Sequence, residues 1–420
     1  MDQRRNKSLD METAATKKDR FLSGLNAGSS SHSATAMKKL EELTFPTRRT
    51  EAWKYTKVNK LINSNLYRSD SFPDAVKYEI PDLESYKVVI SNGAVISSDL
   101  AENKSVTIRA LSGADLLLNS QADAEEIFTT INLAYEHGGI YIHVGAGTIL
   151  EKPIEIIHLV DGQNTFAQVR KLIVLESGAE LQVVEGYYAT EKGYAFSNIV
   201  SEIIVKENAK LHIDKIQCES DEHWQINSEY VYQEQNSVFT INTITMNGAM
   251  IRNGLHISVD GNNCETNLNG LYYLQADQHI DNHTTVDHKK PHCTSSELYK
   301  GILDGSATGV FNGKVFVRED AQKIEAFQQN NNVILSESAS MNAKPELEIY
   351  ADDVKCSHGS TTGQFDDEAI FYLRTRGVGE DNAKKLMISA FAEDVLKNIT
   401  TEAIRTHIDN LLKTRSAWKP

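Results

Sequence analysis

Ile173–Val183 reads IVLESGAELQV, and Ile203–Ile213 reads IIVKENAKLHI. The two stretches superpose without a gap at a period of 30 residues: an apolar run, a polar turn, a small residue, then alternating apolar residues. The pattern returns 28 residues later in Val231–Ile241, VYQEQNSVFTI, and more weakly in Ile257–Leu268, ISVDGNNCETNL. The small residues occupy equivalent turn positions: Ala179, Ala209, Ser237 and Cys264. Such a repeat predicts stacked coils, because one coil cannot bury its own apolar face.

The spacing of the apolar runs indicates how the coils are built. The runs follow one another too closely for crossover helices to lie between them. Shorter β-branched runs of the same kind occur earlier, at Tyr86–Ile90, Ser105–Ile108 and Gly139–Val144. We therefore predict a mainly β fold whose core is a right-handed parallel β-helix. A β-sandwich remains the alternative, since it also has many short strands, but it does not require a repeated turn position.

Helical patterns flank this core and divide the chain into three predicted parts. We expect a mainly helical N-terminal region at 1–86, a parallel β-helix core at 87–363, and a C-terminal helical domain at 364–420. A chain of 420 residues exceeds the usual size of one compact core, which agrees with more than one structural unit.

The N-terminal region contains two weak helical patterns joined by a serine-rich stretch. Phe21, Leu22 and Leu25 form an apolar stripe that predicts a short helix, and Ala36–Leu43 predicts another. Gly28–Ser33 reads GSSSHS, a composition typical of a flexible link.

Phe45–Thr56, FPTRRTEAWKYT, is unusually dense in Arg, Trp and Tyr. One interpretation is that Trp53 and Tyr55 anchor the N-terminal region. The other is a docking surface, since Trp, Tyr and Arg dominate the energetics of protein interfaces.

The C-terminal part has strong helix signals. Asp366 is expected to be an N-cap, Gly377 a C-terminal stop, and Asp381 the cap of a second helix, with a third starting at Thr400 or Thr401. The second helix carries an apolar stripe at helical spacing: Ala383, Leu386, Met387, Ala390, Phe391 and Val395. These helices are expected either to cap the open end of the solenoid or to hold a partner.

Composition excludes several classes of function. The chain has 43 Lys and Arg against 58 Asp and Glu, a net charge of −15, and no long basic patch, so we expect no nucleic-acid or membrane partner. The first thirty residues hold no continuous apolar core, which predicts neither a signal peptide nor an anchor. Four scattered cysteines without a CxxC argue against a disulfide framework and a self-contained zinc site. We expect a soluble, cytoplasmic protein.

Leu347–Gly363, LEIYADDVKCSHGSTTG, holds the most suggestive pair of side chains. If this run is a strand, Cys356 and His358 point to the same side, because side chains alternate between faces. A thiolate and an imidazole on one face are suited to a soft metal or to nucleophilic chemistry. The alternative is a buried cysteine beside a surface histidine.

No standard catalytic motif is present. Gly309–Val315, GVFNGKV, resembles a phosphate loop but has Thr308 where the loop needs Gly and Val315 where it needs Ser or Thr. There is no GxGxxG before a helix, no GxSxG and no HExxH. We therefore expect the chain not to hydrolyse nucleotides itself.

A second region is rich in metal-binding residue types. Its five potential ligands are His279, His283, His288, His292 and Cys293. The spacing across Pro291 fits no standard zinc pattern, so a solvated loop of histidines is the simpler interpretation. Asp352 and Asp353 are adjacent and would face opposite ways on a strand, which disfavours an acid–base pair.

Two stretches of the sequence resemble a known family. Glu346–Gly377, ELEIYADDVKCSHGSTTGQFDDEAIFYLRTRG, is very similar to the C-terminal signature of the SufB/SufD proteins of the SUF iron–sulfur cluster assembly system. FPTRRTEAWKYT resembles the N-terminal signature of the SufD branch. The CSHG form also favours that branch. So does Phe327–Leu335, FQQNNNVIL, which has Asn330–Asn332 and no cysteine in the segment where the SufB branch carries its functional one.

The resemblance implies a non-catalytic scaffold. It would pair with a SufB-like paralogue through the β-helix cores and bind a SufC-like ABC-type ATPase through its C-terminal helices. His358 would lie at the interface of the pair and help to hold a nascent cluster, with Cys356 in a less defined role. No cofactor is expected to be bound tightly by this chain alone, only a transient iron–sulfur cluster in the complex. The expected ATPase-docking residues are Phe371, Leu386, Met387, Phe391 and Val395.

Two other functions remain as alternatives: a secreted-type parallel β-helix enzyme acting on polysaccharide, and a purely structural β-solenoid. The first should show a secretion signal and a cleft of aromatic and carboxylate residues, neither of which is evident. The second does not explain the Cys356–His358 pair followed by a capped helical tail. An exposed solenoid strand would also permit a homodimer when the chain is alone.

Overall fold

The computed structural model describes residues 14–26, 28, 30–99, 105–112, 122, 126–135, 138–190 and 193–415. It is mainly β, with 46% strand and 20% helix. The seven α-helices of the described residues are α1 (Ala14–Leu22), α2 (Ser31–Glu42), α3 (Asn59–Ile62), α4 (Ile127–Ala134), α5 (Asp367–Thr375), α6 (Glu380–Leu396) and α7 (Glu402–Arg415). Short 3-10 helices lie at Glu51–Trp53 and Val76–Tyr78. Residues 1–13, where the first expected segment begins, lie outside the described residues.

Nineteen strands account for almost half of the described chain. The first nine are β1 (Tyr86–Ser91), β2 (Ala94–Ser98), β3 (Val106–Ala110), β4 (Gly139–Val144), β5 (Ile154–Val160), β6 (Thr165–Leu175), β7 (Glu180–Ala189), β8 (Ala195–Val205) and β9 (Lys210–Cys218). The other ten are β10 (His223–Gln233), β11 (Val238–Asn247), β12 (Met250–Val259), β13 (Glu265–Leu274), β14 (His279–His288), β15 (Thr294–Leu303), β16 (Thr308–Val317), β17 (Ile324–Ile334), β18 (Ser340–Ile349) and β19 (Val354–Gly363).

The strands form two sheets that face each other across a common core. From β4 onward, consecutive strands alternate between a nine-stranded and a ten-stranded sheet, and each pairs in parallel with the strand two places along the chain. Only β1–β2 and β3–β4 are antiparallel among the described strands. This topology confirms the predicted parallel β-solenoid and excludes the β-sandwich, whose sheets are antiparallel.

The repeated small residues lie where the chain turns from one sheet to the other. Ala179, Ala209, Ser237 and Cys264 are all buried, stacked above one another at the same corner. The residue before each of them has a positive φ, and these residues are Gly178, Asn208, Asn236 and Asn263. Gly and Asn tolerate this left-handed conformation better than other residues. The conformation of this turn favours Gly or Asn followed by a small residue, which is why the repeat can be recognised in the sequence.

The N-terminal helices cover the outer face of the nine-stranded sheet. Phe166 of β6 and Phe196 of β8 point outward and pack against each other, with ring centroids 4.8 Å apart, and against Phe21 and Phe128 at 5.6–6.3 Å. The expected stripe of Phe21, Leu22 and Leu25 is buried in this layer.

The expected flexible link at Gly28–Ser33 is only partly correct. Ser31 to Ser33 form the first turn of α2, and the Ser30 side chain accepts a hydrogen bond from Ser33 N at 3.0 Å. An N-cap serine stabilises a helix start, so part of a serine-rich stretch that was expected to be flexible is helical.

Trp53, but not Tyr55, anchors the dense N-terminal motif. The Trp53 ring is buried against Phe128 and beneath the Arg252 guanidinium, whose carbon lies 4.0 Å from the ring centroid. Tyr55 remains 41% exposed. The adjacent Thr56 Oγ1 lies within hydrogen-bond distance, 2.9 Å, of Nε2 of His279 on β14, and this contact holds the segment on the outer face of the sheet.

The C-terminal helices lie along the outer face of the ten-stranded sheet. Ile388 and Val395 of α6 and Ile404 of α7 pack on outward apolar residues of five strands: Val184, Ile216, Ile244, Leu271 and Ile302. The expected capping of the solenoid end is therefore wrong for the described residues. Asp366 caps α5 and Gly377 follows its end at φ 87°, as expected, but α6 is preceded by Gly379 as its N-cap instead of Asp381.

Charged side chains are buried inside the solenoid and pair across it. Lys171 of β6 donates to Glu185 of β7 at 2.5 Å, and Lys215 of β9 donates to Glu229 of β10. A buried charge is tolerated only when it is paired, so these contacts fix how the two sheets face each other.

Glu219, just after β9, provides a test of this buried polar interior. It is fully buried, Gln225 Nε2 donates to its Oε1 at 3.1 Å, and burial raises its pKa from 4.5 to about 8. The folded protein keeps Glu219 protonated at neutral pH, whereas the unfolded chain ionises it. The unfolded state therefore binds fewer protons between about pH 4.5 and pH 8, and the contribution of Glu219 to stability falls as pH rises through that window.

Glu219→Gln removes this titration and keeps the shape of the side chain. We expect the free energy of unfolding of the variant, relative to the wild type, to rise by on the order of a few kcal/mol from about pH 5 to about pH 8. Denaturant unfolding at several pH values measures this, with exposed Glu207→Gln as the control. If the difference in the free energy of unfolding between Glu219→Gln and the wild type does not change with pH, Glu219 is not protonated in the folded protein.

Candidate functional site

The last coil of the solenoid, formed by β18 and β19, ends the described stack. In the described structure β18 pairs only with β16, and β19 only with β17. Most residues of β19 are exposed. Each strand therefore presents a row of backbone N–H and C=O groups and an inner face that no further coil covers.

Cys356 and His358 lie together on the inner face of β19. They are register partners of Ala326 and Gln328 on β17, both buried inside the solenoid. The expected common face of the two side chains is therefore present, and it is the inner face at the open end.

The two side chains differ in environment. Cys356 is half-buried against the apolar core, and burial raises the pKa of its thiol. His358 is exposed. Within the ranges that the structure describes, no group of three or more His, Cys, Asp or Glu residues is arranged to hold a metal ion. The pair therefore offers two donors without the rest of a ligand set.

A polar layer that the sequence analysis did not assign lies directly beneath His358. Gln328 Nε2 donates to Glu297 Oε2 at 2.7 Å, and burial raises the pKa of Glu297 from 4.5 to about 7. Beside it, Tyr272 donates to Asn332 Oδ1 at 2.6 Å, and Asn332 Nδ2 donates to Asn330 Oδ1 at 2.7 Å. The run of polar residues at alternate positions of β17, namely Gln328, Asn330 and Asn332, was the available signal in the sequence.

Exposed apolar side chains also lie near the open end. They are Phe327 on β17, Ile349 at the end of β18, and Tyr350 in the turn that follows. Together with the uncovered strands they give this end of the molecule the character of an interface.

The five residues expected to dock an ATPase occupy different environments. Phe371 of α5 and Leu386 of α6 are 65% and 51% exposed. Met387 and Phe391 are half-buried, and Val395 is fully buried against the solenoid. The helix α5 buries none of its residues, and Tyr372 on it is also exposed. The docking role of the five residues remains a prediction.

A charged contact holds α6 on the sheet. Lys300 of β15 donates to Phe391 O at 2.9 Å and to Asp394 Oδ2 at 2.6 Å, with its ammonium 4.3 Å from the Phe391 ring centroid. This contact fastens the middle of the helix, while Leu386 points away from the sheet.

Among the described residues the histidine-rich region forms no metal site, and only its last histidine lies in an exposed turn. His279, His283 and His288 all lie on β14, but the first two face outward and His288 is buried inside the solenoid. His283 Nε2 lies 2.9 Å from Asp281 Oδ1, and His288 Nε2 lies 2.9 Å from Ser295 Oγ. The expectation of a solvated loop holds only for His292, which is exposed in the turn after β14, because the other three histidines belong to the strand itself.

The sequences that resembled catalytic motifs have structural roles. Gly309–Val315 lies wholly within β16, so it forms no phosphate-binding loop. Asp353 lies in the turn before β19 and pairs with Lys323 in the turn of the preceding coil.

The described helices contain no segment that combines the length and the apolar character needed to cross a membrane.

Comparison with protein families gives two matches that together cover most of the chain. Residues 158–391 match the SufBD core domain of the SUF system for FeS cluster assembly. Residues 25–156 match the N-terminal region of SufBD proteins.

Curated relatives agree with these matches. The chain is 28% identical to an iron–sulfur cluster assembly SufBD family protein of Synechocystis sp., over 97% of this chain and 96% of the relative. It is 29% identical to the iron–sulfur cluster assembly protein SufD of Escherichia coli, over 90% of this chain and 91% of the relative. With the SufD protein of Bacillus subtilis the identity is 24%, over 69% of this chain and 67% of the relative.

Proposed function

Because this chain belongs to the SufBD family of the SUF iron–sulfur cluster assembly system, we propose that it is a non-catalytic scaffold subunit on which a cluster is built. The similarity to two SufD proteins supports the SufD branch. The alternative of a polysaccharide-acting enzyme is not favoured by this membership.

The observation that carries the proposal is the pair of donors on the inner face of an unpartnered end coil. Iron–sulfur clusters are held mainly by thiolates, and histidine can replace some of them. Cys356 and His358 are too few to hold a cluster alone, so the missing ligands would come from a second chain. The cluster is then a product in transit, and the chain needs no resident cofactor.

The uncovered end of the solenoid supports pairing with a SufB-like paralogue. A second solenoid placed against β18 and β19 would satisfy their free backbone groups and cover Phe327, Ile349 and Tyr350. The same surface would permit a homodimer when the paralogue is absent. We place this pairing in the cytoplasm, as the sequence analysis predicts.

The C-terminal helices support the docking of a separate ATPase. The sequence contains no phosphate-loop motif, and Gly309–Val315 is part of a strand, so an ATP-driven step would use another protein. Phe371 and Tyr372 of α5 and Leu386 of α6 are exposed, and we call the outer side of these two helices the helix surface. A partner that binds the helix surface could shift the helices relative to the solenoid, and thereby the interface that holds the cluster.

Co-expression with a SufB-like chain and a SufC-like ATPase tests the proposal. We expect all three chains to copurify as one complex that assembles a cluster when supplied with iron and sulfide. When expressed alone, the chain should bind no iron tightly. Failure to copurify with either partner, or tight iron binding by the isolated chain, contradicts the proposal.

A further inference from the structure

Two cysteines occupy successive positions of the same solenoid corner. Cys264 precedes β13 and Cys293 precedes β15, and the strands that follow them pair in register at Glu265 and Thr294. Thr294 N donates to Cys264 O at 2.9 Å, so the two cysteines are stacked one coil apart. The spacing between register partners in neighbouring strands is about 4.8 Å, which lies within the Cα separation that a disulfide spans.

The two sulfur atoms converge on one carbonyl group. Cys264 Sγ lies 3.3 Å and Cys293 Sγ 3.2 Å from Gly261 O. Both side chains are buried, with at most 1% exposed. The residues that cover them are turn residues, and Asn262, Asn263 and His292 of these turns are exposed.

The pair differs chemically from the other two cysteines. A hydrogen bond from the Cys293 thiol lowers the pKa of Cys264, and the same contact raises the pKa of Cys293. Burial raises the pKa of Cys218 to about 12 and also raises that of Cys356. Cys264 is therefore the cysteine best prepared to become a nucleophilic thiolate.

We propose that Cys264 and Cys293 form an oxidisable thiol pair, which a small peroxide converts into an intrachain disulfide that staples two coils of the solenoid.

The reaction proceeds in two balanced steps. The Cys264 thiolate attacks one oxygen of the peroxide, the O–O bond breaks, and the sulfur becomes a sulfenic acid while the other oxygen leaves and is protonated. Cys293 then attacks the sulfenic sulfur, the S–S bond forms, and hydroxide leaves and takes the Cys293 proton to become water. Two thiols and one hydrogen peroxide thus give one disulfide and two waters.

The position of the staple has a mechanical consequence. A coil of a solenoid contacts only its neighbours, so unfolding can propagate coil by coil from an open end. The disulfide would join the coil β12–β13 to the coil β14–β15, two coils before the open end. Oxidation should therefore slow the opening of these stapled coils and leave β18 and β19 unaffected. A small oxidant reaches the sulfurs by local opening of the turns that cover them.

Peptide mapping of the full-length chain tests the proposal. The chain is treated with hydrogen peroxide, remaining thiols are alkylated, and the product is digested with trypsin without reduction. Cleavage after Arg252, Lys289 and Lys300 separates the two cysteines into peptides 253–289 and 290–300. We expect these peptides to appear joined, with the loss of two hydrogen atoms, and to separate on reduction. Recovery of both as individually alkylated peptides, or joined to other cysteine peptides, overturns the proposal.

A serine variant supplies the matched control. Ser237 occupies the equivalent corner of the preceding coil, so Cys264→Ser should fold. It is expected to form no joined peptide, whereas Cys218→Ser should form it as the wild type does. Hydrogen exchange after peroxide should slow in β12–β15 of the wild type and not in Cys264→Ser. If the amides of β12–β15 exchange equally fast in the oxidised and the reduced wild type, the disulfide does not stabilise these coils and the proposal is wrong.

Discussion

A complex that carries His358→Ala is expected to form normally but to assemble at least about tenfold less cluster than the wild type. His358 is exposed on the inner face of the end coil, so its removal leaves no buried cavity and breaks no described hydrogen bond. Loss of one ligand at a site shared between two chains should nevertheless leave the cluster incompletely held. The yield is measured by the visible absorption of the cluster and by bound iron and sulfide, alongside the copurified amounts of all three chains.

Two further variants show whether the effect belongs to the imidazole. Ser360→Ala lies on the same inner face two residues along β19, and it should assemble cluster as the wild type does. His358→Cys replaces the imidazole by a thiolate, the usual ligand of iron–sulfur clusters, and should restore part of the yield. A wild-type yield from His358→Ala, or an equal loss in Ser360→Ala, would remove His358 from the site.

The solenoid could be predicted from sequence because four successive coils repeat the same turn chemistry. A Gly or Asn with positive φ followed by a small buried residue, as at Gly178–Ala179 and Asn208–Ala209, leaves a trace that survives when the rest of the coil diverges. The Cys356–His358 face followed from the same alternation of side chains.

The positions of the helices were harder to predict, because the residues that indicate where helices pack belong to the strands and not to the helices. Strands β6 and β8 are buried along their whole length, which requires a cover on their outer face. Apolar residues at outward positions, such as Phe166 and Phe196, carried that information, but periodicity alone does not say which helix covers them. Of the two roles expected for the tail, capping the open end is wrong, because the tail packs on outward apolar residues of the other sheet, such as Ile216 and Leu271.

The interior contacts could not be predicted from spacing. Lys171 and Glu185 are 14 residues apart and meet only because they face each other from opposite sheets. Glu297 and Gln328 are 31 residues apart and meet because the coils stack in register. Such pairs depend on the coil length and the register together, and a one-residue error in register reverses the face of every side chain.

The double substitution Phe371→Glu and Leu386→Glu is expected to weaken ATPase binding by on the order of thirtyfold or more. Both side chains are more than half exposed in the free chain, so burial on binding would make them the apolar centre of the helix surface. A carboxylate at either position would have to be desolvated in that interface. The solenoid should be unaffected, because α5 buries none of its residues and Leu386 of α6 is exposed. Binding to the purified ATPase is measured by calorimetry, and folding by thermal unfolding of the same preparation.

The chain offers a control of the same chemistry at a distant place. Phe72 is 63% exposed in the N-terminal region, so Phe72→Glu makes a similar change in charge without touching the helix surface. It should bind the ATPase as the wild type does. Val395→Ala is the opposite case, since Val395 is buried against the solenoid: it should lower the Tm and weaken binding only to the extent that α6 is loosened. If Phe72→Glu weakens binding as much as the double substitution, or if the double substitution binds normally, the helix surface is not where the ATPase docks.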